Sequence, residues 1–423
     1  MTAARVLAAL ALALTVGAGC SPRDRSNPFD PQNQTTHGGL TGFNAIGGDG
    51  VVSLRWPLLA QEGVQSYRID RWIPGGPPVP LPGAVYPPHV SAAEDLTARN
   101  DTTYLYRLVA LLESGGTAES PPDTVTPGTR RTLVLVAELP GVVGLSPDAR
   151  DILFANLVGE SYDDLDLDST RGTFWLSQYD RGRIVGRNFE GTGVGFEFFL
   201  DHPTDLAIST RHAIVWAAQP DRRRVARLGT IDTTRTPIAG VGPARIVEAN
   251  SDNSTLWIGS DDGGVFYASS ATADTIQSWR LDARVNAIAI DAAANVAWVA
   301  TRTGDLCDLY RVTPGNVTVE RVRSGLLNVT DMEVETVTHT LWICERGAPL
   351  TGNGRLSRLG PAGEALTTVT GLEPYALAVE PGSIACWVTD IKSDRLIEVG
   401  ANGATLRRSL PLGVPYGVRV YHP

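Results

Sequence analysis

The chain has 423 residues, 43% of them hydrophobic and 19% charged, and a formal net charge of −10. That length calls for two or three domains. The acidic balance, with no basic stripe anywhere, excludes a nucleic-acid backbone as partner. The 44 glycines and 28 prolines fit an all-β chain with frequent turns better than a helical one.

Arg5 and the free amine make a positive start, and Val6 to Ala18 is almost wholly apolar. That run is shorter than the roughly 20 residues a membrane-spanning helix needs. Residues 1–19 therefore read as a signal peptide and stand outside the fold. The run ends in V-G-A-G-C, so small residues precede Cys20 directly. This segment resembles the lipobox of bacterial lipoproteins, with Gly17 where that family usually carries Leu. The resemblance implies that Cys20 is acylated and becomes the mature N-terminus. Residues 20–39 would then be the lipidated cysteine and a polar, aperiodic tether. Several acyl chains, each contributing roughly 0.8 kcal/mol per buried CH₂, would hold such a protein on a membrane. Ser21 follows the cysteine where some bacteria place an inner-membrane retention Asp, so the expected location is the cell envelope, on the outer membrane.

Residues 40–128 carry short alternating strands separated by Gly/Pro clusters: Val51–Trp56, Ser66–Trp72 and Tyr104–Ala110. Their order resembles a fibronectin type III domain. Trp56 matches the core tryptophan of its second strand, Tyr104 the residue at its tyrosine corner. The resemblance implies a β-sandwich that serves as a spacer or adhesive module, with Trp56 and Tyr104 as core residues.

From about residue 131 the chain repeats. Trp175, Trp216, Trp257, Trp298, Trp342 and Trp387 recur at spacings of 41, 41, 41, 44 and 45, each in a short apolar strand. Before each lies another strand, opening at Asp163, Pro203, Pro243, Val285, Val329 and Pro374. A seventh copy of that first strand, P-Y-G-V-R-V from Pro415, closes the chain without its tryptophan. Such a period, with several strands per unit, is that of a β-propeller blade. The orphan last strand invites completion by N-terminal strands at Thr132–Glu138 and Asp151–Leu157. The expected fold is all-β: a fibronectin type III-like sandwich, then a propeller over 131–423 with seven blades, six being the alternative. The pattern is similar to the NHL and YVTN-type propellers of secreted bacterial proteins, and the tryptophans read as packing residues between blades.

In that arrangement the strand before each tryptophan is innermost. Its opening residues ring one mouth of the central channel. Aligning the copies brings together Asp163, Asp164, Thr204, Asp205, Arg245, Asn286, Thr330, Asp331, Tyr375 and Tyr416. This mouth is the candidate site for a small polar ligand or a cation. Asp164, Asp205, Asn286 and Asp331 are the hard oxygen donors that Ca²⁺ would take; no other cofactor is indicated.

No G-x-S-x-G, H-E-x-x-H or P-loop occurs, and the six histidines are scattered. His202 alone lies just before an innermost strand. Cys307, Cys344 and Cys386 form no C-x-x-C pair and read as buried apolar thiols, with one disulfide as the alternative. No catalytic residue is assigned. The favoured reading is a lipid-anchored envelope binding or scaffold protein whose propeller engages a protein or glycan. The alternative is a calcium-assisted hydrolase or lyase working at the channel mouth.

Overall fold

The computed structural model describes residues 29, 30, 32, 33, 36–48, 50–57, 63–129, 131–138, 140–156, 159–189, 193–229, 236–348, 353–380 and 382–421. The segment read as a signal peptide, Cys20 and His422 lie outside the described residues. Two compact units divide after Gly128. Among the described residues no helix is long and apolar enough to cross a membrane.

The first unit is built of β1 (Asn44–Gly47), β2 (Val52–Arg55), β3 (Val64–Trp72), β4 (Val79–Tyr86), β5 (Ala92–Asp95), β6 (Tyr104–Leu112), β7 (Thr117–Glu119) and β8 (Asp123–Val125). One sheet has the order β1-β2-β5; the other has the order β4-β3-β6-β7, with β8 also on β6. The alternation read from the sequence places Val52, Leu54, Tyr67, Ile69, Tyr106 and Leu108 in one core drawn from both sheets. Trp56 is buried there between Tyr67 and Tyr86, with ring centroids 5.7 and 5.6 Å away. The Tyr104 hydroxyl accepts the Arg99 N–H at 3.2 Å, tying the approach to β6 back onto itself. Asp95 is buried but fully engaged: it accepts from Tyr106 (2.7 Å), Arg71 (2.6 Å) and Thr97 (2.7 Å). Not all of the expected tether is free of the fold. Phe29, the aromatic residue in that polar stretch, packs against the sandwich core, and residues 36–39 form turns. Burial of one large ring is enough to pull a short polar segment onto a surface.

The second unit contains seven four-stranded antiparallel sheets. Blade 1 runs through Asp164–Asp168, Thr173–Gln178, Arg183–Asn188 and Gly193–Phe199. The first two strands of the next five blades are Asp205–Ser209 and Ile214–Gln219, Ala244–Asn250 and Thr255–Ser260, Arg284–Asp291 and Val296–Thr303, Val329–Glu335 and Thr340–Glu345, and Pro374–Val379 and Cys386–Asp390. Blade 7 is composite. The C-terminal strand Pro415–Tyr421 pairs with Arg131–Val136, which continues to Gly141–Leu145 and Ile152–Asn156. The ring thus has seven blades and is closed by hydrogen bonds between the two ends of the unit. Gly141–Leu145 is a strand that the sequence reading had not singled out.

Each innermost strand lies against the innermost strand of the next blade, and Asp164–Asp168 meets Pro415–Tyr421. The tryptophans explain why blades associate. Trp175 packs with Leu206, Ile208 and Val215 of blade 2. Trp257 packs with Val285, Ile288 and Val299 of blade 4. Trp387 packs with Val134, Val143 and Val418 of blade 7. One blade cannot cover its own apolar face, so the indole of each is shielded by its neighbour. Blade 7 has Leu133 at the tryptophan's place in the register, and Phe154 stacked on Phe174 at 6.3 Å fills the interface to blade 1. Cys307, Cys344 and Cys386 are buried free thiols in these interfaces.

Candidate functional site at the channel mouth

All ten residues aligned from the sequence line one cavity of about 270 Å³ on the channel. Backbone irregularity puts half of them there. Against the second strand, five innermost strands carry one extra residue at the same level. The register shifts across Arg245 in blade 3, Asn286 in blade 4 and Thr330 in blade 5. It shifts again across Tyr375–Ala376 in blade 6 and Tyr416 in blade 7. A bulge re-aims the side chain it carries, and each of these five residues lines the cavity.

The carboxylates have a structural task as well. Asp163 accepts the Tyr179 N–H within its own blade, whereas one oxygen of each of the other three acids accepts the backbone N–H of the next blade's inner strand. Asp164 takes Leu206 N at 3.0 Å, Asp205 takes Val247 N at 2.7 Å, and Asp331 takes Leu377 N at 2.8 Å. The same clamp recurs one step deeper, where Asp166 takes Ile208 N at 2.8 Å and Glu333 takes Val379 N at 2.9 Å. The uncharged residues do likewise: Thr204 Oγ1 donates to Arg245 O at 3.0 Å and Asn286 Nδ2 to Val329 O. Tyr416 Oη donates to Tyr162 O at 2.5 Å. These bonds stitch the inner wall of the ring.

Below the mouth the inner strands carry residues that the sequence reading did not name. The innermost-strand residue facing each tryptophan across the ladder is Asp166, Ala207, Glu248, Ala289, Glu333 and Ala378 in blades 1 to 6. In blade 7 that place holds Arg419, opposite Leu133. Acids alternate with alanines, and a single guanidinium completes the ring. Arg419 lies 3.6 Å from Asp166 and 4.0 Å from Asp164. Below this ring a second cavity of about 440 Å³ shares Glu248, Asp331 and Arg419 with the mouth.

So many carboxyls in a low-dielectric channel repel one another and resist ionisation. Burial pushes Asp166 and Asp331 up to about 6 and Glu333 up to about 7, with Arg419 holding each of them back. Asp205 and Glu248 are raised well above the ordinary carboxylate range, again first by burial and then by neighbouring acids. Burial works against the charge on Arg419, but the surrounding acids outweigh it and raise its proton affinity too, which for a guanidinium means that it stays cationic. At neutral pH the channel therefore holds fewer negative charges than its acid inventory.

Three arginines give the mouth a second character. Arg245, Arg284 and Arg302 line the same cavity from blades 3 and 4. Arg284 and Arg302 face each other in register across the first two strands of blade 4. Sequence alignment of the innermost strands found only Arg245. The available signal for Arg284 and Arg302 was the register of one hairpin; for Glu248 and Arg419 it was the two-residue period of an inner strand continued downward.

Among the described residues no group of three or more His, Cys, Asp or Glu is arranged to hold a metal ion. The four calcium candidates are each engaged in an inter-blade bond. Among the described residues lining the mouth there is no Ser, Cys or His. His202 is absent from that lining; it is half-exposed, bonded to Asp221 at 2.7 Å and stacked on Tyr179 at 4.6 Å. The longest arginine run in the sequence, Arg222–Arg224, begins at a turn where Arg222 contacts Asp201 and Arg223 lies 3.7 Å from Asp262.

The fold and the axial cavity define a seven-bladed β-propeller preceded by a two-sheet β-sandwich. No family model matches the chain, and no curated protein matches it. Solved structures do. A functionally unknown protein from Desulfotomaculum acetoxidans superposes with a TM-score of 0.56 at 13% identity, covering 69% of this chain and 99% of that one. U3-55K gives 0.52 at 10% identity over 62% of this chain and 85% of that one. Hydrazine synthase from Kuenenia stuttgartiensis gives 0.50 at 10% identity, with 57% and 76% covered. At these identities the likeness is one of fold.

Proposed function

We propose that this protein is a lipid-anchored binding or scaffold protein of the bacterial cell envelope, and that its propeller engages a protein or glycan partner at the channel mouth. The observation that carries the reading is the set of aligned bulges. Regular ladders would close the ring equally well, yet five of the seven inner strands deviate at one level and turn a side chain into one polar cavity. Bulges gather beside functional sites because they re-aim side chains there. Propellers of the NHL and YVTN type are the family resemblance, and the sandwich is assigned as a fibronectin type III-like module. Its Trp56 core and the Tyr104 hydroxyl bond support that assignment.

The anchor is tested by Cys20→Ser: the wild-type chain should fractionate with membranes and the variant should not. Partner binding is tested by affinity capture from detergent-solubilised envelopes with the full chain. A partner held stoichiometrically by the wild type and lost with Tyr375→Ala and Thr330→Ala together supports the reading. No retained partner, or one held equally by the variant, overturns it.

A further inference from the structure

The mouth cavity carries more positive charge on one side than its immediate acids neutralise. Arg245 approaches Asp261 only at 3.9 Å. Arg302 donates to Gly304 O at 2.7 Å and reaches Asp305 at 3.5 Å, a carboxylate almost fully in solvent. Arg284 donates to Asn286 Oδ1 at 3.2 Å, and among the described residues no carboxylate pairs with it. Three guanidiniums thus share the wall of blades 3 and 4 with one distant carboxylate, one solvated one and Glu248, whose carboxyl burial pushes toward the neutral form. Burial and then the charges of Arg245 and Arg302 make Arg284 less willing to hold its proton. An anion placed between the three groups would relieve that repulsion.

The other sectors of the same cavity are of a different kind. Asp163, Asp164 and Asp205 stand in blades 1 and 2, and Tyr375 and Tyr416 meet edge to face at 6.4 Å in blades 6 and 7. Carboxyls and phenols accept and donate hydrogen bonds to hydroxyls, and aromatic faces cover the apolar side of a ring. The volume lies just below the roughly 300–1,000 Å³ of ordinary ligand pockets, so it admits one ring-sized group rather than a length of polymer.

We propose that Arg245, Arg284 and Arg302 bind the oxyanion of one sugar-acid or sugar-phosphate unit of a glycan partner, whose hydroxyls face the acids and tyrosines. The guanidinium is suited to this because its planar fork matches carboxylate and phosphate oxygens two at a time. This inference rests on the binding reading above and names the chemistry of that same site.

The test is calorimetric titration of the full chain at low salt with three hexoses of one shape: glucose, glucuronate and glucose 6-phosphate. At least one charged hexose should bind ten-fold or more tighter than glucose, and which of the two binds tighter tells a carboxylated from a phosphorylated source. Arg284→Gln should weaken that binding by about ten-fold or more, and Arg284→Lys by less. Arg302→Gln is a second variant, and a melting curve for each establishes that it is folded. Glucose binding as tightly as both anions, or anion binding unchanged in folded Arg284→Gln, overturns the proposal. So does failure of every hexose to bind; envelope capture that still succeeds then leaves the scaffold reading standing and removes only the anion chemistry.

Discussion

Arg419 is the perturbation that bears most directly on the channel. Its guanidinium is the one cation in the ring of residues facing the tryptophans, 3.6 Å from Asp166 and 4.0 Å from Asp164. At those distances and an effective dielectric constant near 20, each attraction is about 4 kcal/mol before desolvation is subtracted. Removing one partner of a buried ion pair typically costs about 3–5 kcal/mol, because the other charge stays behind. The Arg419 side chain is 27% exposed, so solvent screening lowers the expectation to about 2–3 kcal/mol. Arg419→Met keeps the apolar stem of the side chain and deletes the charge. Its loss of stability, read by urea unfolding of the full chain, should be near that value at pH 7.5. It should be smaller at pH 5, where Asp166, Asp331 and Glu333 take up protons. An equal loss at both pH values would refute the reasoning, since it would mean that Arg419 acts by packing alone. No loss at pH 7.5 would refute it too.

The wild type should itself depend on pH in an unusual direction. Asp166, Asp331 and Glu333 have folded values of about 6, 6 and 7, above those of the unfolded chain. The native state therefore binds the extra protons between about pH 4 and 7, and stability falls as pH rises through that window. A melting temperature that is higher at pH 5.5 than at pH 8 is the expected outcome; a flat or rising trend counts against it. Below that window Asp95 and Glu335, whose hydrogen bonds hold them under the ordinary carboxylate range, act with the opposite sign, and stability is lost as they protonate. Asp331→Asn keeps an oxygen for the Leu377 N–H and deletes a crowded charge, so at pH 7.5 it should be neutral or stabilising. Asp331→Ala strands that N–H and should cost about 1–3 kcal/mol relative to Asn. Trp257→Ala removes an indole packed on Tyr267 at 4.9 Å and Trp279 at 5.7 Å, and should cost about 3–5 kcal/mol in chemical unfolding. Deleting residues 414–423 strips the inner strand from blade 7 and exposes the edge of Arg131–Val136. The truncated chain should be insoluble or aggregate, and a soluble monomer with wild-type melting would contradict closure by that strand.

What the sequence determined by itself is whatever repeats or alternates. The two-residue period was enough to read β2, β3 and β6 as half-buried strands, and the structure puts Leu54, Tyr67 and Tyr106 of those strands in the sandwich core, because a strand's faces alternate by parity. Six tryptophans at near-constant spacing, and a seventh inner strand without one, were enough for a propeller closed by its own ends, and the strand pairing then decided seven blades over six. Alignment of the repeats also brought ten mouth residues to one cavity, since equivalent positions in a closed ring must share a level. Tertiary structure decided the rest. Bulges at Arg245, Asn286, Thr330, Tyr375 and Tyr416 depend on how two strands meet, which no single strand's sequence records. The pairing of Arg284 with Arg302, and the crowding of acids around Arg419, join residues from different strands or blades. Their charges and proton affinities exist only once the ring has removed them from water, and for that reason the chemistry of the mouth had to await the fold.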